Sequence, residues 1–285
     1  MDSKIKKLIE ICRFEEDPNW DIISKLFDGV SFENIQEVLE NRDRLIAGLI
    51  DDVVVRTFDD RKTVENNWEK YMEFTDDGFL TVIKPFRALE GFYLPEFGIN
   101  ITSDVSVYLG QGAKLFDVII RAPSYISNGA ILEHSKIQSA GRYSFIGENA
   151  KVSNVGELRG CFISGGPSKE GGRPRTYVHA DSLNNVIMAA YTGVSDGTDT
   201  WNHPHRSEAF VMVDPETKKV HKFNPAEVKY RKLPIFIGLY ASIGPQCLLN
   251  NGSIIGANIE VDRQANVDGM IYYDEGKKQT IDVRK

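Results

Sequence analysis

The chain has 285 residues, 41% of them apolar, and a formal net charge of −7. That length allows one or two domains with a substantial core. The negative balance argues against nucleic acid or an anionic membrane surface as the main partner, and no apolar run reaches the ~18 residues of a membrane span.

Residues 1–98 are predicted to form a mostly helical N-terminal domain. Ile5, Leu8, Ile9 and Cys12 recur at three- and four-residue steps, one face of a helix. A second helix is expected from Pro18 to Phe27, with Asp17 as N-cap and Pro18 in its first turn. Ser31, Asn34, Ile35, Val38, Leu39, Leu45, Ile46 and Leu49 read as a third. Residues 52–58 suit a short strand and 64–74 another helix. No nucleotide loop or catalytic cluster is visible in this part. The start of the chain lacks the apolar core of a signal peptide. The three cysteines, Cys12, Cys161 and Cys247, are odd in number and far apart. Reduced core thiols in a cytoplasmic protein are therefore expected, with no zinc cluster.

From residue 99 to 285 the texture changes. Ile237, Ile243, Leu249, Ile255, Val261 and Val267 recur every six residues, three of them followed by Gly238, Gly244 and Gly256. Small residues such as Ala241, Cys247 and Ser253 sit four positions on. A less regular array precedes it: Ile120, Ile126 and Leu132, then Ala140, Ile146 and Val152. A six-residue period makes each hexapeptide a short strand plus a tight turn, and three of them a coil of ~18 residues stacked at ~4.8 Å. The predicted fold is thus an all-β parallel β-helix of hexapeptide repeats behind the helical domain. Two stretches break the period and are read as loop insertions, 156–176 and 195–232.

The second insertion carries Asp199, Trp201, Asn202, His203, Pro204, His205, Arg206, Glu208 and Phe210. Histidine is scarce, five in the chain, yet two fall within three residues here. Acyl transfer from a thioester needs a general base near neutral pKa and donors for the oxyanion. His203 or His205 suits the base, Asp199 or Glu208 can orient its ring, and Trp201 or Phe210 can exclude water. Trp201, Asp199 and Arg206 are candidates for contact with the acceptor.

Segment 140–150 (AGRYSFIGENA), the loop NHPHRSEAF and the return LPIFIGLYASIGPQCLLNNGSIIGANIEV resemble the hexapeptide-repeat acyltransferases, closest to those acting on sugars and xenobiotics. The resemblance implies a left-handed coil, a homotrimer and acetyl-CoA as co-substrate. It implies a small-molecule acceptor, a sugar or a nucleotide sugar of the kind used in polysaccharide biosynthesis. In that family the His after Asn is the base, which falls on His203. A large aromatic lies near the coenzyme, and Tyr240 stands where Trp is common. Coil residues Gly238, Tyr240, Ala241 and Gly256 would then line the coenzyme, with Lys229, Arg231 or Lys232, or Arg173 and Arg175, for its phosphates. The chain departs from the family in the long spacing from Gly141 to His203 and in lacking the usual C-terminal Gly-Asn-Pro-Ala turn. The helical leader is similar in layout to that of the tetrahydrodipicolinate succinyltransferases.

Two other readings share these residues. A zinc enzyme like the γ-class carbonic anhydrases would need His134, His179 and His203 or His205 as ligands. A non-catalytic, ligand-binding or regulatory protein related to sugar nucleotidylyltransferases would need none of the chemistry.

Overall fold

Asp2 starts the first helix, α1 (Ser3–Cys12), by accepting from the backbone N–H groups of Lys4 and Ile5 at 2.9 and 3.2 Å. The predicted face, Ile5, Leu8, Ile9 and Cys12, is buried. These observations come from a computed structural model that describes residues 1–102, 104–138, 142–167, 176–201, 210–224, 228 and 232–284, with only the backbone of Trp201. The second helix is shorter than its periodicity suggests: α2 (Trp20–Ile23) continues as a 3-10 turn, Ser24–Phe27. The Asp17 carboxylate does not cap it in the simple sense. It is drawn away to Ala190 N–H at 2.6 Å and to the Ser164 hydroxyl at 2.7 Å. The expected third helix is divided: Ser31 caps a 3-10 turn, Phe32–Asn34, and α3 (Glu37–Asp52) follows it.

Residues 52–74 differ from expectation. Arg56–Phe58 is a strand, but the helix predicted over 64–74 is replaced by α4 (Arg61–Glu65), a 3-10 turn at Trp68–Lys70 and a strand at Met72–Phe74. Asp60 sets the earlier start by accepting from Thr63 N–H at 2.8 Å. The strand pairs antiparallel with Leu80–Val82 across the Asp77-Gly78 turn, where Gly78 takes a positive φ of 88°.

The repeats form parallel ladders. Ile237 pairs with Ile255, Ile243 with Val261 and Leu249 with Val267, all buried and eighteen residues apart. One sheet of 11 strands includes Val107–Leu109, Ser124–Ile126, Ser144–Ile146, Phe162–Ile163, Val186–Met188, Ile235–Ile237 and Ile254–Ile255 in spatial order. A second sheet of 16 strands bends at Ile131–Gln138 into two limbs. The first limb runs through Ala150–Ser153, Thr176–Val178, Gly193–Val194, Ser242–Ile243 and Glu260–Val261. The second limb runs through Glu157–Arg159, Ser182–Asn184, Asp199–Trp201, Leu248–Asn250 and Asn266–Val267.

The expected fold class needs correction. The structure is α/β, about 20% helix, with mostly parallel sheets curled into a half-barrel, and not an all-β left-handed β-helix behind an α-helical domain. Two features force this. Strands from before residue 98 join the same sheets: Arg56–Phe58 pairs with Phe86–Ala88, and Phe86–Ala88 with Val107–Leu109. The helices, in turn, are not a domain apart but a layer on the first sheet.

That layer has a reason in the sequence. In the first sheet both faces are apolar. Inward lie Leu109, Ile126, Ile146, Ile163, Met188, Ile237 and Ile255. Outward, in register, lie Tyr108, Tyr125, Phe145, Phe162, Ile187, Phe236, Ile254 and Met270. A sheet apolar on both sides must be covered on both. Helical residues Ile5, Leu8, Phe14, Phe27, Val38 and Ile46 join this outer row in one buried cluster. Phe145 and Phe162 stack at 4.5 Å, and Phe236 packs on Phe27 at 6.0 Å.

Both expected insertions also shrink. Glu157–Arg159 and Phe162–Ile163 are sheet strands, with Leu158 and Ile163 in the core. Asp199–Trp201 is another, and Phe210–Val213 with Val220–Phe223 form an antiparallel hairpin packed against the helical layer.

Candidate functional site

The first sheet and the second limb meet at a corner where the chain turns after Gln138, Arg159, Asn184 and Trp201. The strand before residue 202 ends here, and the chain rejoins the first sheet here through Leu233. Trp201 closes the strand paired with Leu248–Asn250, and Leu233, beside Lys232, donates its N–H to Asn251 at 2.6 Å.

The second limb alternates as a strand must. Leu158, Leu183, Thr200 and Leu249 point inward, in one register row. Glu157, Ser182, Asp199 and Leu248 form one outward row, and Arg159, Asn184 and Asn250 lie in the other. Asp199 accepts from the Ser182 hydroxyl. Asn184 and Asn250 are each 4% exposed. Asn184 donates its amide to Thr200 Oγ1 at 3.1 Å, and Asn250 to Val267 O at 3.0 Å. Among the described residues their buried Oδ1 atoms have no hydrogen-bond partner. A buried acceptor left unpaired costs about 1–3 kcal/mol, which marks this strip as a candidate site.

At the corner itself, cations gather. Arg142 donates to Asn185 Oδ1 at 2.8 Å, and Arg159 pairs with Glu157. Lys232 lies close to both arginines, and its pKa is pushed down to about 8 by burial, then by Arg142 and Arg159. Among the described residues its ammonium has no ion-pair or hydrogen-bond partner. Asn185 is held in the left-handed region (φ 55°), giving its N–H to Arg159 O and taking Ile235 N–H. The α3 layer braces the same corner. Arg42, 1% exposed, donates to Gly160 O and to Asp43, and Asp43 accepts from Tyr143 N–H at 3.0 Å.

The predicted coenzyme residues are split by the fold. Lys232 precedes the strand Ile235–Ile237, whereas Gly238, Tyr240 and Ala241 follow it at the opposite corner. Gly238 lies under α1: a Cβ there would sit 2.8 Å from the Cys12 carbonyl oxygen. Gly256 faces Ile11 in the same way, at 3.2 Å. Ala241 is buried, and Tyr240, half exposed with φ 58°, stacks on Tyr191 at 5.0 Å. Asn202, His203, His205, Arg206 and Glu208 lie outside the described residues, as do Arg173, Arg175, Lys229 and Arg231. Arg142, Arg159, Asn184, Asn185 and Asn250 were not singled out by sequence. Their signal is a polar residue at an outward strand position or beside a corner, which reads as ordinary surface.

The remaining histidines are spread out. His134 Nδ1 lies 2.8 Å from Asp117, His179 3.5 Å from Asp196, and His221 packs on Phe32 and Phe223. Among the described residues no three His, Cys, Asp or Glu side chains are grouped to hold a metal ion. Cys12, Cys161 and Cys247 are free and buried, and burial raises the pKa of each thiol. A separate cavity of about 320 Å³ opens between α1, the hairpin turn at Lys218 and the C-terminal hairpin, and holds none of the predicted site residues. No helix among the described residues is long and apolar enough to cross a membrane.

No protein-family model matches the chain, and no curated protein matches it.

Proposed function

We propose that the chain is an acyl-CoA-dependent acyltransferase that acetylates a hydroxyl or amine of a sugar or sugar nucleotide, with His203 as general base. The observation that carries the reading is the strip from which the His203 segment departs. Asp199, bonded to Ser182, lies beside two buried amide oxygens, Asn184 and Asn250, that lack donors among the described residues. Unpaired acceptors in a row suit a ligand rich in hydroxyls, whose O–H groups would fill them. In this reading His203, two residues past Trp201 in sequence, is the base for the hydroxyl to be acylated. It takes that proton as the oxygen attacks the thioester carbon, and the coenzyme leaves as its thiol once protonated.

The homotrimer implied by the resemblance belongs to the same proposal and is read by light scattering. Calorimetric titration with acetyl-CoA and free CoA tests the donor, and His203→Ala tests the base. Micromolar CoA binding near one site per chain is expected. Turnover is expected to fall ~10²–10⁴-fold in His203→Ala with CoA affinity kept. Absence of binding at millimolar CoA overturns the assignment.

A further inference from the structure

We propose that the corner formed by Arg142, Arg159, Lys232 and Asn185 binds the phosphoryl group of a ligand, and that this ligand is the acceptor, which makes the acceptor a phosphorylated sugar. The anion site stands on its own observations; its assignment to the acceptor rests on the acyl-transfer reading. Positive side chains converge there, and among the described residues the nearby carboxylates are already engaged, Glu157 by Arg159 and Asp43 by Arg42 and Tyr143 N–H. Half burying an ammonium beside two guanidinium groups is unfavourable unless an anion joins them. The Lys232 amine responds by losing its proton more readily, near pH 8.

The second observation is independent of charge. Asn185 is fully buried, its Oδ1 is occupied by Arg142, and among the described residues its Nδ2 has no partner. A buried N–H donor left open at a cationic corner matches an anionic oxygen. A phosphoryl group offers several acceptor oxygens and up to two charges, enough for an ammonium, guanidinium donors and an amide together.

Location argues for the acceptor over the donor. Arg159 stands in the same register row as Asn184 and Asn250, so the corner continues the strip of unpaired acceptors. Gly238 and Tyr240 lie beyond the far end of the strand Ile235–Ile237.

The test uses the full chain and inorganic pyrophosphate, titrated calorimetrically with and without saturating acetyl-CoA. Expected is saturable binding that weakens ~10–100-fold in Lys232→Met and in Arg159→Gln, and is largely recovered in Lys232→Arg. The Lys232 amine, followed by NMR after reductive methylation with ¹³C, should titrate at higher pH when pyrophosphate is bound. Equal affinity in wild type and Lys232→Met, or an amine titration that pyrophosphate leaves unmoved, overturns the site. Displacement of pyrophosphate by acetyl-CoA gives the corner to the donor and overturns the acceptor assignment. If CoA fails to bind while pyrophosphate binds through Lys232, the acyl-transfer reading falls and the anion site remains.

Discussion

The first sheet and the second limb are built from the same kind of short parallel strand, yet they meet different fates. In the first sheet the residue beside each inward anchor is Phe, Tyr, Ile or Met, and a helical layer covers it. In the second limb the corresponding outward residues are Glu157, Ser182, Asp199, Arg159, Asn184 and Asn250, and among the described residues they share no apolar core with the helices. The inward anchor decides that a strand belongs to the half-barrel. Its outward neighbour decides whether that face becomes a second core or stays available for chemistry. One apolar substitution pattern therefore separates scaffold from candidate site.

The largest effect should come from removing a joint between layer and sheet. Phe236 is fully buried and touches both Phe14 and Phe27. Phe236→Ala should cost about 3–5 kcal/mol, the usual range for a buried aromatic. Because the layer and the sheet share one core, scanning calorimetry should show a single transition moved down as a whole. Two separated transitions would mean that the helices fold apart from the sheets, and the comparison would break.

Much of this was legible in the sequence. The helical face of α1 and the inward anchors from Ile237 to Val267 are buried as their spacing requires. What the periodicity did not reveal was the outward row of the first sheet, since Phe236, Ile254 and Ile187 adjoin anchors and blur into apolar runs. Hence the helices read as a separate domain and not as a lid on a two-sided sheet. The insertions were overdrawn for a related reason. Thr200 occupies an inward position of the second limb, and a polar anchor hid the strand Asp199–Trp201. Leu158 continues the six-residue step from Val152, but Gly156 and Gly160 around it signalled a loop. For the site, Asp199 and Lys232 were reachable from sequence as members of an unusual insertion. Arg142, Asn185 and Asn250 were not, because only the pairing of strands far apart in sequence brings residues 43 and 65 positions apart into one region of the sheets.

A smaller effect probes the attachment of the layer. Asp17 is 4% exposed and accepts from Ala190 N–H, the Ser164 hydroxyl and Asn19 N–H, fastening the segment before α2 to a sheet corner. Burial raises its pKa, and the three hydrogen bonds pull the other way. Asp17→Asn relieves the buried charge but turns an amide N–H₂ toward a backbone or hydroxyl donor. A loss of about 1–3 kcal/mol in urea unfolding is expected. A neutral or stabilising result would show that the charge burial outweighs the hydrogen bonds, and that the layer is held by its apolar contacts alone.

The smallest effect bears on the open side of the comparison, and its sign can be worked out. Lys232 has a folded pKa of about 8 against 10.5 for the free side chain. Between those values the unfolded chain binds more protons than the folded one, so stability rises with pH across that window. Below about pH 8 the ammonium is charged in both states, and its cost in the fold is fully present. With solvent screening allowed for, that cost is of order 1 kcal/mol. Lys232→Met should therefore raise the melting temperature at pH 7 and flatten its rise between pH 8 and 10.5. Pyrophosphate should lift wild type at pH 7 in the same direction, by neutralising the charge instead of removing it, and leave Lys232→Met nearly unmoved. A wild-type profile that falls through this window would mean that an anion within the chain already satisfies Lys232. The open corner would then be as closed as the covered sheet.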